Sequence, residues 1–170
     1  MLERLTLVLG GARSGKSRQA EALVGALPPP WRYVATAQAL DAEMQKRIAL
    51  HRERRGASWE THEAPLALAE TIVRLARDPA PILVDCLTLW LTNLMLGAHD
   101  LDAAVTGFEA ALDAVRAPVV LVANEVGQGI VPENALARRF RDEAGRLNQR
   151  LAARADRVLL MVAGLPLQVK

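Results

Sequence analysis

Apolar positions along the chain fall into two rhythms. Short, nearly continuous apolar runs occupy residues 5–9, 33–35, 82–84, 119–123 and 158–162. Runs of that length with no polar alternation are what strands covered on both faces look like. Between them, apolar residues recur at helical spacing: Leu68, Ile72 and Leu75; Val105, Phe108, Leu112 and Val115; and Leu136, Phe140, Ala144, Leu147 and Leu151. Each set lies on one face of a helix. Strand and helix alternate, which predicts a doubly wound α/β sheet. Pro28, Pro29 and Pro30 end the first helix, and Pro79, Pro81 and Pro118 stand just before later strands. No internal repeat or low-complexity linker divides the chain, so residues 1–170 are expected to form a single domain. The tail GLPLQVK predicts either a last edge strand or a contact with another subunit.

Composition changes this picture little. The chain has 170 residues, 51% hydrophobic and 24% charged, as globular domains do. The formal net charge is only +2, too small to imply a general nucleic-acid binder. Lys16, Lys46 and Lys170 are the only lysines among 21 basic residues, so arginine dominates, a side chain suited to bidentate anion recognition. The one cysteine, Cys86, excludes an intramolecular disulfide and a multi-cysteine zinc site, and fits a reducing compartment. The apolar run after Glu3 and Arg4 is far shorter than the roughly 20 residues of a membrane span. The expectation is a cytoplasmic protein without membrane insertion.

Chemistry enters at the first strand. Gly10, Gly11, Ala12, Arg13, Ser14, Gly15, Lys16 and Ser17 match G-x-x-x-x-G-K-[ST] in full, between a predicted strand and a predicted helix. Glycines let the backbone turn tightly and aim several N–H groups at one anion, while the helix presents its positive dipole end to the same oxygens. Lys16 is then placed for the terminal phosphates and the Ser17 hydroxyl for Mg²⁺. ILVDCLTLW puts Asp85 at the carboxyl end of a strand expected to neighbour this loop, the place of a Walker-B-type acid able to hold the magnesium or one of its waters. Cys86 beside it has no visible activating partner and reads as a small buried residue.

His51, His62 and His99 are the only histidines. In LDAEMQKRIALHRERRG, helical spacing puts His51 on one face with Met44 and Ile48, whereas Lys46, Arg47, Arg54 and Arg55 fall mostly elsewhere. Two roles are open to it: a packed histidine with satisfied ring nitrogens, or a neutral imidazole ringed by phosphate-attracting arginines and able to attack phosphorus. His62 lies in a short extended piece and His99 in a loop and helix cap, neither with such a basic setting. Glu63 suits either a ligand contact to base or sugar or an exposed loop acid. Arg138, Arg139, Arg141 and Arg146 form a basic face open to substrate, a neighbouring subunit or water.

Five segments together resemble the bifunctional adenosylcobinamide kinase/adenosylcobinamide-phosphate guanylyltransferase family: GGARSGKS, ATAQALDAEMQKRIALHRERR, VDCLTLWLTNL, VANEVGQGIVPENALARRFRDEAGRLNQRLA and GLPLQVK. The third and fourth of these are far more specific to the family than the phosphate loop, which many NTPases share. The resemblance implies an α/β, single-domain P-loop NTPase of RecA-like kind, with a mostly parallel central sheet and helices on both faces. It implies two reactions: phosphorylation of adenosylcobinamide from GTP or ATP, then transfer of GMP from GTP to that phosphate. His51 corresponds to the family's guanylylated histidine and, with Lys16, to its catalytic residues. Nucleotide contacts are implied at Gly10 to Ser17, at Ala35, Thr36 and Ala37, at Arg52, Glu53, Arg54 and Arg55, and at Glu63 and Asp85, with Mg²⁺ at Ser17 and Asp85. A homotrimer is implied by analogy. The N-K-x-D element by which signalling GTPases read guanine is absent, so GTP enters through the resemblance alone. A small-molecule kinase without a covalent intermediate and a GTP-dependent switch or assembly protein are the alternatives.

Overall fold

The computed structural model describes residues 2–38 and 56–170. Seven strands form one sheet: β1 (Leu5–Gly10), β2 (Trp31–Ala35), β3 (Trp59–Glu63), β4 (Ile82–Asp85), β5 (Val119–Asn124), β6 (Arg157–Val162) and β7 (Leu165–Gln168), in the spatial order β3-β2-β4-β5-β1-β6-β7. β1 to β6 pair in parallel and β7 joins antiparallel at the edge. The helices of the described residues are α1 (Lys16–Gly25), α2 (Leu68–Leu75), α3 (Leu87–Leu96), α4 (Leu101–Ala114) and α5 (Ala135–Arg154).

The apolar runs of the central strands divide by parity between two cores. Val119, Leu121 and Ala123 of β5 face one side together with Ile82 and Val84 of β4; there they meet α2, α3, α4 and α5, with Trp90 and Phe108 in tilted ring contact at 5.3 Å. Val120, Val122 and Leu83 face the other side and meet Ala20 and Val24 of α1, with Tyr33 and Met161. Both faces are dry, which is why these strands carry no polar alternation.

α3 breaks the helical pattern expected from periodicity. LTLWLTNLML is apolar nearly all round, so it has no stripe to reveal it. Its buried apolar residues Leu87, Trp90, Leu91 and Leu94 all belong to the larger core. α4 and α5 are also tied by charge: Glu109, nearly buried, accepts from Arg150 Nε at 2.9 Å and Nη2 at 2.7 Å, while Arg150 Nη1 reaches Asp102 at 2.8 Å.

The tail resolves into the edge strand β7. β6 and β7 are joined by Ala163 and Gly164 with φ of 51° and 83°, the two positive values that a tight two-residue hairpin requires. Leu165, Leu167 and Val169 are exposed there. Among the described residues, no helix is long and apolar enough to cross a membrane.

Candidate nucleotide site

The phosphate loop is shaped by two glycines with different reasons for being glycine. A Cβ on Gly10 would lie 2.9 Å from the Met161 carbonyl oxygen and 2.5 Å from Ser14 Oγ, so the loop can leave β1 along this path only without a side chain. Gly15 has φ of 93°, in the left-handed region, and caps α1. No side chain caps α1 and its first turn holds no acid, so its leading amides are left for a ligand to satisfy. Ser14 Oγ is buried without a hydrogen-bond partner among the described residues. An orphaned donor beside uncapped amides fits an oxyanion.

Lys16 is buried and its ammonium donates to the Gly11 carbonyl at 2.6 Å. Burial pushes its pKa below the ordinary lysine range, against the opposing pull of the Asp85 carboxylate. A cation held at a cost of desolvation, beside the uncapped start of α1, gains most when an anion arrives.

The hairpin after β6 supports this loop from outside. The Gly164 amide donates to the Ser14 carbonyl at 3.1 Å, and a Cβ on Gly15 would lie 3.4 Å from Gly164 Cα. Since C=O and N–H point in opposite directions across a trans peptide, holding Ser14 C=O toward the hairpin turns the Gly15 N–H the other way. Nothing in the loop's own sequence signals this contact.

Asp85 stands at the carboxyl end of β4, but β4 does not neighbour the phosphate-loop strand: β5 lies between β4 and β1. Two strand spacings, about 9.6 Å, therefore separate the β4 and β1 backbones. Strand order is a tertiary property, and a run of apolar residues carries no record of it. Register sets Glu63, Ala35 and Asp85, the last residues of β3, β2 and β4, in one row with Val122 and Val8, two residues before β5 and β1 end at Asn124 and Gly10. By parity Asp85 shares the α1 side of the sheet with Leu83, and it is close enough to Lys16 to act on its charge. The Tyr33 hydroxyl donates to Asp85 Oδ2 at 3.1 Å.

The inserted strand brings its own polar end to the loop. Asn124 is the register partner of Gly10, and the Glu125 amide donates to the Gly10 carbonyl at 3.0 Å. The Asn124 amide donates to Thr88 Oγ1 at 2.7 Å, and Asn148 Nδ2 donates to the Asn124 carbonyl at 3.2 Å.

Ala35, Thr36 and Ala37 run past the end of β2 beside Asp85. Thr36 is fully buried and its hydroxyl is committed to Cys86, donating to the carbonyl at 2.6 Å and accepting from the amide at 2.9 Å. Asn93 Nδ2 ties the Thr36 carbonyl, at 2.8 Å, to the Pro65 carbonyl, at 2.9 Å. Burial pushes the Cys86 thiol up, keeping it protonated and matching its reading as a packed residue. Glu63 ends β3 as the register partner of Ala35 and is exposed.

His51, Arg52, Glu53, Arg54 and Arg55 lie outside the described residues, as do Met44 and Ile48. His62 sits on β3 opposite Val34, its pKa lowered by burial and then by Arg74. Of the basic face on α5, Arg138 donates to the Pro132 carbonyl at 3.0 Å, Arg141 to the Gly127 carbonyl at 2.7 Å, and Arg146 pairs with Glu143 at 2.7 Å. Arg138 and Arg141 thus fasten the loop that follows β5.

Ser17 and Asp85 supply hard oxygen donors, and among the described residues no cluster of three or more His, Cys, Asp or Glu forms a cage. That donor set fits Mg²⁺, which takes one or two protein ligands and completes its shell with phosphate oxygens and water.

Solved structures with a similar fold include the flagellar accessory protein FlaH from Methanocaldococcus jannaschii (TM-score 0.56, 11% identity, covering 100% of this chain and 80% of that one). Another is a prototypical ATPase from the type III secretion system of pathogenic bacteria (TM-score 0.53, 10% identity, 98% and 57%). At such identities they speak for the fold alone, a RecA-like P-loop NTPase sheet. Relatives of much higher identity are the bifunctional adenosylcobalamin biosynthesis protein CobP of Pseudomonas aeruginosa, 51% identical with 96% of each chain covered, and its counterpart CobU of Salmonella typhimurium, 48% identical over 98% of this chain and 99% of that one. Residues 6–169 match the family described as cobinamide kinase / cobinamide phosphate guanyltransferase. With the phosphate loop, the strand-end acid and near full-length similarity all in one chain, this protein belongs to the cobinamide kinase / cobinamide phosphate guanyltransferase family.

Proposed function

We propose that residues 1–170 act as one domain that carries out two successive transfers at one triphosphate seat. In the first, the aminopropanol hydroxyl oxygen of adenosylcobinamide attacks the γ-phosphorus of GTP or ATP; the P–O bond to the β-phosphate breaks and a nucleoside diphosphate leaves. In the second, an imidazole nitrogen of His51 attacks the α-phosphorus of GTP and pyrophosphate leaves. A phosphate oxygen of adenosylcobinamide phosphate then attacks that phosphorus, the N–P bond breaks, and adenosylcobinamide-GDP is released. One difficult displacement becomes two easier ones.

The observation that carries the reading is the seat itself: uncapped amides of α1, the orphaned Ser14 hydroxyl and the buried Lys16 cation converge in a chain of this family. Lys16 and the loop amides orient the triphosphate and offset charge on the transferring phosphoryl oxygens. Ser17 and Asp85 would hold Mg²⁺, which would supply positive charge to offset that of the phosphate oxygens. Arg52, Arg54 and Arg55 add cations around His51, and Ala35, Thr36, Ala37, Glu53 and Glu63 complete the nucleotide contacts by analogy with the family. A homotrimer enters by analogy alone; exposed Leu165 and Leu167 on β7 offer apolar surface for association. A cytoplasmic setting accords with a biosynthetic enzyme of this class.

The covalent step is tested by incubating the protein with α-labelled GTP and Mg²⁺, then denaturing it. Acid-labile, alkali-stable label on the chain is expected, absent in His51→Ala. Product formation without any such label would leave a simple kinase with a structural histidine.

A further inference from the structure

We propose that Tyr33 is a positioning residue for the metal–nucleotide complex, its phenol fixing one carboxylate oxygen of Asp85 so that the other is presented to the cation. The inference rests on the nucleotide site proposed above. Tyr33 stands on β2 as the register partner of Leu83, two residues before Asp85 on β4. Side chains two apart on a strand share a face, so the Tyr33 ring and the Asp85 carboxylate lie on the α1 side of the sheet, and the phenol closes the diagonal with a 3.1 Å hydrogen bond to Oδ2.

The ring is itself fixed. Tyr33 is only 5% exposed and meets Trp59 of β3 edge-on, with centroids 6.2 Å apart; Trp59 in turn packs on Trp31 at 5.3 Å. A tyrosine buried to hold up the sheet alone needs no hydroxyl at this height; here the hydroxyl ends on the acid that the loop's cation would meet. A free carboxylate rotates about its last torsion, which is broad. Pinning one oxygen removes that freedom before the ligand arrives, which is how supporting hydrogen bonds raise metal affinity.

Tyr33→Phe keeps the ring and its contact with Trp59 and removes only the hydroxyl. Mn²⁺ binding to the protein–GTP complex, followed by electron paramagnetic resonance, is expected to weaken about 10-fold, the lower end of what losing a hydrogen bond that supports a metal ligand costs. Affinity for metal-free GTP, measured in EDTA, stays at the parental value, and the melting temperature falls by no more than about 4 °C, the worth of one hydrogen bond. In an Asp85→Asn background the same substitution adds less than about twofold, since the group it positions is no longer a carboxylate. Unchanged Mn²⁺ affinity in Tyr33→Phe overturns the inference, and so does an equal loss with and without metal, which marks a packing role. A parent protein that binds GTP no better with Mn²⁺ than without it removes the underlying metal site and this inference with it. Parental metal dependence with a silent Tyr33→Phe removes this inference alone.

Discussion

Replacing Lys16 by methionine separates what the phosphate loop costs the fold from what it does for the ligand. The lysine is 8% exposed and its ammonium has one carbonyl acceptor, on exposed Gly11, at 2.6 Å. Its pKa is lowered by burial, so the folded chain holds this proton less tightly than the unfolded chain does. Stability lost in this way is missing at every pH below the folded pKa and returns as pH rises toward the ordinary value of 10.5. Methionine keeps the aliphatic stem, abolishes the desolvation cost and forfeits one hydrogen bond of about 1 kcal/mol, whose acceptor can turn to water. The two changes oppose each other, and the ligand-free variant is expected to melt between the parental temperature and about 4 °C above it, corresponding to a gain of at most about 1 kcal/mol. Its advantage shrinks as pH is raised from about 8 to about 11, because the parent then sheds its buried charge. Triphosphate binding moves the opposite way: losing charge-assisted hydrogen bonds of about 1.5–3 kcal/mol weakens GTP about 10- to 150-fold. Scanning calorimetry across pH, titration calorimetry with GTP and turnover of both reactions read these outcomes. A variant melting more than about 4 °C below the parent, or binding GTP as the parent does, refutes the picture of a cation held at a cost for an anion. Full survival of one activity refutes a shared seat.

Gly15→Ala forces a side chain into the left-handed region at φ of 93° with Gly164 Cα 3.4 Å away, so a stability loss of about 1–2 kcal/mol is expected on chemical denaturation together with weaker GTP binding. Glu109→Gln tests the α4–α5 charge cluster. The Arg150 hydrogen bonds hold the Glu109 carboxyl below the usual range near 4.5, so its contribution is complete above that pH and fades as pH falls through the lowered folded value. The variant is expected to be about 1–2 kcal/mol less stable than the parent at about pH 7 and equal to it at about pH 2, by urea denaturation at both; a pH-independent difference would show that packing, not charge, is what Glu109 supplies.

Local signals carried the local structure, and distance in sequence marks where they stopped. The dry strands β1, β4, β5 and β6 announce themselves because burial on both faces leaves few polar residues among them, and the glycine–lysine loop is legible because its chemistry is compressed into Gly10 to Ser17. α3 has no polar side to set its period. The position of β5 between β4 and β1 follows from how helices fill the two faces, which no single segment encodes. The supports of the site are likewise long-range: Tyr33 reaches Asp85 across 52 residues, and Asn93 reaches Thr36 across 57. Tyr33, Asn124 and Gly164 look in the sequence like any strand or turn residue. Their role appears only once register has chosen their neighbours.

Vectorial synthesis meets a delay in this topology. β1 emerges first, yet its two sheet partners are residues 119–124 and 157–162, and the peptide that steadies its loop comes from residue 164. Through most of translation the future phosphate cradle is an unpaired apolar ribbon with no template to lie against. The enzyme therefore gains its catalytic competence nearly all at once, and a nascent chain stalled before residue 119 exposes, rather than shelters, an aggregation-prone stretch near its start.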